Sequence, residues 1–338
     1  MPKGETMRNI EEIKSRFPTL FEMLGDEYVE SLKSEQGALA KRATINPFFS
    51  ILYSTSDEIE SDYIEHCFKD AVDKNSISME RLQRFKDERK NVNLQNFINE
   101  IVVMQPAFEF GSFLDETNDG VTPDFLASLD ENEIVFECVS VNEAAYSEKH
   151  KNKSIEDTNK KLKAWKKENP NGGVFSTMHE SQPYGTIDVE IISNKIRKKK
   201  TSRQVKEFPY KVLVISFRNM MFTKSLECLP NICNHVDGIH SGIIYPAFYG
   251  KRGDIVFHEN SFEGERHRLG VLKDDGKFRR DSEYNLCIVN FETKVEEEHK
   301  RYVFLENFGN PMPESLIYKL CDAFEPYETH SILKMYVK

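Results

Sequence analysis

Three carboxylates stand where their surroundings call for an explanation. Glu137 lies inside the run IVFECVSV, flanked by Phe136 and Cys138. An acid within an apolar strand is costly to bury unless it is paired or holds a cation. Asp124 follows Pro123 at the head of the run DFLASL, and two adjacent strands would carry it to the same sheet edge as Glu137. Glu100 comes earlier, in LQNFINEIVVM. Oxygen donors of this kind suit a hard divalent ion, Mg2+ or Mn2+. Such an ion polarises a phosphodiester and generates a hydroxide nucleophile near neutral pH, and a nearby lysine would neutralise charge developing in the transition state. Each acid also has an ordinary alternative. Pro-Asp is a common turn, Glu137 could face water from an edge strand, and Glu100 could be a solvated or capping helix residue.

The elements that must position these groups follow from periodicity. Residues 1–92 read as a helical N-terminal extension, with apolar residues at three- and four-residue spacing in 62–73 and 79–90. Asn93 is placed to cap a helix through LQNFINEIVVM, with Leu94, Phe97, Ile98 and Ile101 on one face and Gln105-Pro106 as its stop. A strand is expected over 107–114, then TPDFLASL, a turn at DENE, and a strand over 134–141. A lysine-rich stretch follows, with a strong turn signal at Asn169-Pro170-Asn171-Gly172-Gly173 and a helix over 188–207. The apolar run YKVLVISF at 210–217 reads as a buried strand. A helix between two strands implies a crossover, hence a mixed sheet. Short β runs are expected at 242–250, 253–260, 284–292 and 301–308, with a closing helix over 314–323. The fold class expected is α/β, with a mixed central sheet flanked by helices over 93–338.

Bulk composition bounds the rest. The chain has 338 residues, 39% hydrophobic and 30% charged, the balance of a soluble globular protein. No apolar run approaches the length needed to span a bilayer, and the first residues lack a signal-peptide core, so a cytoplasmic location is expected and no membrane partner. Six cysteines without framework spacing argue against a disulfide scaffold, and Cys228, Cys233 and His235 fit no common zinc pattern. The net charge is −10, yet residues 149–211 hold 16 Lys and Arg against 7 Asp and Glu. A local basic face is enough to hold phosphates, because fields are screened within roughly 10 Å at ordinary salt. Phosphate-cradle, zinc-protease and serine-elbow motifs are missing from the sequence.

Glu100, then Pro123-Asp124, then the strand VFECV resembles the PD-(D/E)XK nuclease superfamily, whose members include restriction enzymes, repair nucleases and phage-defence proteins. The later VFLENFGNPMP also resembles a strand-to-turn feature of bacterial nucleases of this kind. The resemblance implies a restriction-endonuclease-like core and a divalent-metal-dependent nuclease, acting on DNA in a setting such as anti-phage defence. It implies Asp124 and Glu137 as metal ligands and Glu100 as an auxiliary ligand. It covers about a third of the chain, from Leu94 to Phe217.

One position departs from the pattern. The superfamily carries lysine two residues after the strand glutamate, where this chain has Val139. In some branches the lysine moves to a following helix, often beside a glutamine. Lys200 and Gln204 stand four residues apart and would share a helix face, with Lys199 and Lys195 behind them. A lone lysine in a basic run is also an ordinary surface group. The contrasting expectation is a catalytically inactive nuclease fold that binds nucleic acid or acts as a scaffold. In either case residues 149–211 would hold the nucleic acid, and the N-terminal helices offer a surface for a partner protein.

Overall fold

The computed structural model of the chain describes residues 7–33, 46–55, 57–88, 91–115, 122–141, 207–217, 233–235, 238–240, 244–260, 265–279, 282–290, 302–326 and 328–330, and the single positions 160, 165 and 167. Helices come first in the chain: α1 (Ile10–Arg16), α2 (Pro18–Leu24), α3 (Asp26–Leu32), α4 (Pro47–Tyr53), α5 (Glu58–Asp73), α6 (Met79–Asp87) and α7 (Asn91–Met104). Strands β1 (Gly111–Phe113), β2 (Phe125–Leu129), β3 (Asn132–Ser140) and β4 (Tyr210–Ser216) follow. Two hairpins come next, β5 (Cys233–His235) with β6 (Gly238–His240) and β7 (Ile255–Asn260) with β8 (Glu265–Val271), separated by α8 (Ile244–Tyr249). The chain closes with β9 (Leu286–Asn290), β10 (Tyr302–Glu306), α9 (Glu314–Phe324) and β11 (Glu328–His330).

The central sheet has seven strands in the order β1-β2-β3-β4-β9-β10-β11. β1, β2 and β3 form an antiparallel meander, β3–β4–β9 are parallel, β10 is antiparallel to β9, and β11 is parallel to β10. The protein is therefore an α/β fold on a mixed sheet. Strand alternation gives each face its own core. One face presents Phe125, Ile134, Phe136, Val212, Val214, Leu286, Ile288, Tyr302 and Phe304, in a single apolar cluster with residues of α1–α5, α7 and α9. Here Phe113, Phe125 and Phe136 meet edge to face, with centroids 5.0 and 5.8 Å apart. The other face presents Leu213, Ile215, Cys287, Val289, Val303 and Leu305 beneath Ala247 and Phe248 of α8, Phe278 and Tyr284.

Helix ends in the first layer are closed by side chains. Asn9 and Glu12 form a reciprocal capping box on α1, and the Ser78 hydroxyl accepts the Arg81 amide at the start of α6. Buried Glu65 of α5 accepts the amides of Thr19 and Leu20 at 2.7 and 3.0 Å. It thus satisfies the free donors at the start of α2, where Pro18 itself has none. Arg8, also buried, donates to the carbonyls of Ile51 and Leu52 near the end of α4, each at 3.2 Å.

Several elements differ from their sequence-based expectations. The first strand is short: Gln105–Ala107 is a 3-10 turn, and Ala107 and Phe108 go into the core. Asn93 is not a cap; α7 already begins at Asn91, and the Asn93 amide donates to Glu88 at 2.7 Å. The segment expected as a short β run at 242–250 contains a helix, Ile244–Tyr249. Pro246 lies in its first turn, where backbone amides have no intrahelical acceptor, and the apolar run is spent on covering the sheet. Among the described residues no helix is long and apolar enough to cross a membrane.

The Glu65 bridge gives a measurable expectation. Glu65→Ala leaves two amides at the start of α2 without their acceptor, that of Leu20 in the core, and should lower the unfolding free energy by about 1–3 kcal/mol in urea titrations. Glu65→Gln, which keeps an acceptor oxygen, should lose less than half of that.

Candidate functional site

The register of β2 against β3 decides where the two strand acids go. Phe125 pairs with Phe136, so the next position back along β2, Asp124, stands opposite Glu137. Phe125 and Phe136 both bury themselves in the helix-rich face, so Asp124 and Glu137 share the other one. Asp124 is held on both sides. Its carbonyl accepts the Leu114 amide at 3.2 Å, and its Oδ2 accepts the Cys138 amide at 2.6 Å. Glu137 lies opposite Leu213 of β4 and is 7% exposed, a carboxylate embedded in the second core.

Around the pair the structure gathers groups that were not singled out in the sequence. Tyr284, just before β9, is 1% exposed. Burial pushes its hydroxyl pKa well up, and the negative charges of Glu137 and Asp124 push it further. Its hydroxyl has no hydrogen-bond partner among the described residues, and an unpaired buried hydroxyl costs about 1–3 kcal/mol. The ammonium of Lys277 lies 5.2 Å from the Tyr284 ring centroid, a cation–π contact with Lys277 itself buried. Burial also raises the Cys287 thiol well above its ordinary pKa, and Lys277 partly opposes that rise. Lys211 of β4 lies opposite Val135, two residues from the level of Glu137 and on its face, and is 9% exposed.

Three asparagines fix this side of the site. Asn285 Oδ1 accepts the Lys211 amide at 2.7 Å, and its Nδ2 donates to the Asn310 carbonyl at 3.1 Å. Asn307, 2% exposed, donates from Nδ2 to the Tyr284 carbonyl at 2.8 Å and to the Ser282 carbonyl at 3.2 Å. Asn310 Nδ2 donates to the Glu283 carbonyl at 3.3 Å. The 3-10 turn Lys277–Arg279 is seated by Gly276, whose amide donates to the Gly250 carbonyl at 2.8 Å. A β-carbon on Gly276 would lie 2.4 Å from the Phe248 carbonyl oxygen, so backbone packs directly on backbone there.

The remaining sequence candidates are placed differently. Glu100 does not join the acid pair: its Oε2 accepts from Arg81 Nη2 at 3.1 Å, while Arg81 Nη1 donates to the Leu114 carbonyl at 2.7 Å. The reason is packing. α7 lays Leu94, Phe97, Ile98 and Ile101 on the opposite face of the sheet, and Arg81 of α6 is the cation within its reach. Among the described residues no group of three or more His, Cys, Asp and Glu is arranged to hold a metal ion. Lys200, Gln204, Lys195 and Lys199 lie outside the described residues, as does most of the basic stretch 149–211. Lys211 could have been found in the sequence, because a lysine in YKVLVISF raises the same burial question as Glu137. Tyr284 and Lys277 carried no such signal; Lys277 sits in DDGKFRRD, which reads as solvated charge.

Comparisons with protein-family models, with curated proteins and with solved structures yield no match to this chain.

Gly276→Ala should displace the turn that carries Lys277 and cost about 1–3 kcal/mol of stability, the usual penalty for overpacking. Gly309→Ala is the control. Its β-carbon would meet only Asn307 Oδ1, at 3.4 Å, so its urea midpoint should stay close to that of the wild type.

Proposed function

We propose that the protein is a divalent-metal-dependent nuclease that hydrolyses phosphodiester bonds in DNA, on a restriction-endonuclease-like core. The observation that carries this reading is the facing of Asp124 and Glu137 across β2 and β3, on a face that also holds a buried lysine and a tyrosine hydroxyl. The donor set fits a hard ion: Mg2+ is commonly held by one or two carboxylates, with water and substrate phosphate completing its shell. Asp124 and Glu137 would hold Mg2+ or Mn2+, which when bound supplies Lewis acidity and an activated water. The other roles belong to the chain. The Cys138 amide orients the Asp124 carboxylate in advance. Lys277 brings positive charge to a site where phosphate must sit beside two acids. Lys200 and Gln204 are the further candidates for phosphate contact, within the basic stretch 149–211 that would track the DNA backbone.

A second reading has its own observation. Val139 occupies the position where a strand lysine is expected, and Glu100 is engaged by Arg81, which would suit a nuclease fold that binds nucleic acid without cutting it.

Calorimetric titration with Mn2+ and cleavage of supercoiled plasmid separate the two. Under the nuclease reading, wild-type protein binds Mn2+ and nicks the plasmid. Asp124→Ala and Glu137→Ala should each lose at least about 100-fold in Mn2+ affinity or in cleavage, since even indirect partners of a metal site contribute 10–100-fold. Lys277→Met should retain Mn2+ binding and lose cleavage. If both acid variants cleave like the wild type, the nuclease reading is wrong. Little Mn2+ heat together with no turnover on any DNA or RNA supports the second reading.

A further inference from the structure

Asp124 and Glu137 are acceptors only, and the Tyr284 hydroxyl is a buried donor without a partner among the described residues, in the core on the face they share. The ring is not free to turn away in search of one. Its own carbonyl is tied to Asn307 at 2.8 Å, the next residue is tied to the start of β4 at 2.7 Å, and Lys277 closes one side of the ring. The ring packs in the apolar cluster with Leu213, which stands beside Glu137 in register, and with Cys287, the next residue across from Leu213. Phenylalanine would fill this apolar volume equally well, so the hydroxyl adds nothing to packing. It makes no hydrogen bond to either carboxylate, nor to any other described residue. A buried donor on the face of two acceptors, bonded to neither, calls for a third oxygen between them.

Building on the nuclease reading of the acid pair, the geometry points to Tyr284 as the hydrogen-bond donor of the site: its hydroxyl donates to a water oxygen held between the ring and the carboxylates of Asp124 and Glu137. A phenol is protonated at neutral pH on its ordinary pKa alone, so the donor is always available. Tyr284 thereby supplies the orienting contact that Val139 lacks, from the layer that covers the sheet rather than from β3 itself. The water so placed is the one the proposed hydrolysis consumes.

Full-length Tyr284→Phe tests this against the wild type and against Asp124→Asn, by thermal melting, Mn2+ calorimetry and plasmid cleavage. The expected result is a melting temperature equal to or above that of the wild type, because the hydroxyl has no protein partner to lose. Mn2+ affinity should fall about tenfold, at the low end of what outer partners of a metal site contribute. The cleavage kcat should fall while KM for DNA stays the same. Asp124→Asn should abolish the Mn2+ heat. A clear drop in the melting temperature of Tyr284→Phe would assign the hydroxyl to the fold and overturn the proposal. Unchanged Mn2+ affinity and cleavage in Tyr284→Phe, with both lost in Asp124→Asn, overturn the tyrosine and leave the acid pair standing. No Mn2+ heat from the wild type removes the acid pair, and the role of Tyr284 with it.

Discussion

Two carboxylates on one face of a sheet repel, and the rest of the site is organised around that repulsion. Side chains directly opposite on antiparallel strands stand about 5 Å apart at Cβ. Two full negative charges at that distance cost about 3 kcal/mol at an effective dielectric of 20. Burial makes the situation worse, since Glu137 has given up most of its water. A fold accepts such a pair only if positive charge or donors are brought to it. The Cys138 amide reaches Asp124 directly, and Lys277 and Tyr284 approach from the covering layer. These contacts are what lets two acids share one face beside an apolar core.

Bringing those groups together takes segments far apart in the chain. Lys211, Tyr284, Asn285, Asn307 and Asn310 meet because β4, β9 and β10 lie side by side. Each asparagine spends its amide on backbone groups that the strand ladder leaves over at strand ends and in the turn after β10. Buried backbone carbonyls must find donors somewhere. Asn307 supplies them for two residues at once, which makes the segment 282–285 a rigid ledge and not a loop. Gly276 does the same for the opposite wall by letting the turn sit on the end of α8 without a side chain between them. Precision here comes from paired polar groups and close backbone packing, while the apolar faces supply the bulk of the stability.

What could be read from the sequence divides along physical lines. The meander of β2 and β3 and the buried run of β4 were legible, because alternation and β-branched enrichment report local environment directly. The α/β character and mixed sheet followed from one crossover. The pairing of Asp124 with Glu137 was legible as an adjacency of strands; the register, which puts them on one face, is visible only in the fold. The helix at Ile244–Tyr249 was misread because a six-residue apolar run carries no period, and both a strand and a covering helix satisfy it. Glu100 was expected as an auxiliary ligand from the resemblance and its place on the helix ahead of the strands, and neither says anything about Arg81, which arrives from another helix and pairs with it. Lys277 and Tyr284 were beyond reach for a deeper reason. Their role depends on tertiary neighbours, and their local sequence is that of an ordinary polar loop.

Val139 now has a packing explanation. It lies on the face of Glu137, opposite Ile215, and packs on the cluster that contains Val141, Ile215, Phe217 and Val289. Val139 is partly buried at the margin of that cluster, and a lysine there would give up apolar packing to carry its ammonium to water. An apolar layer covers this face of the sheet, and besides Lys211 on β4 a cation can come in with the layer itself. Lys277 does so, on a turn whose position is fixed by Gly276 and whose charge rests against an aromatic face. On this face an apolar Val139 and a covering layer that carries Lys277 go together: the layer that Val139 packs against also brings the positive charge that its own side chain cannot.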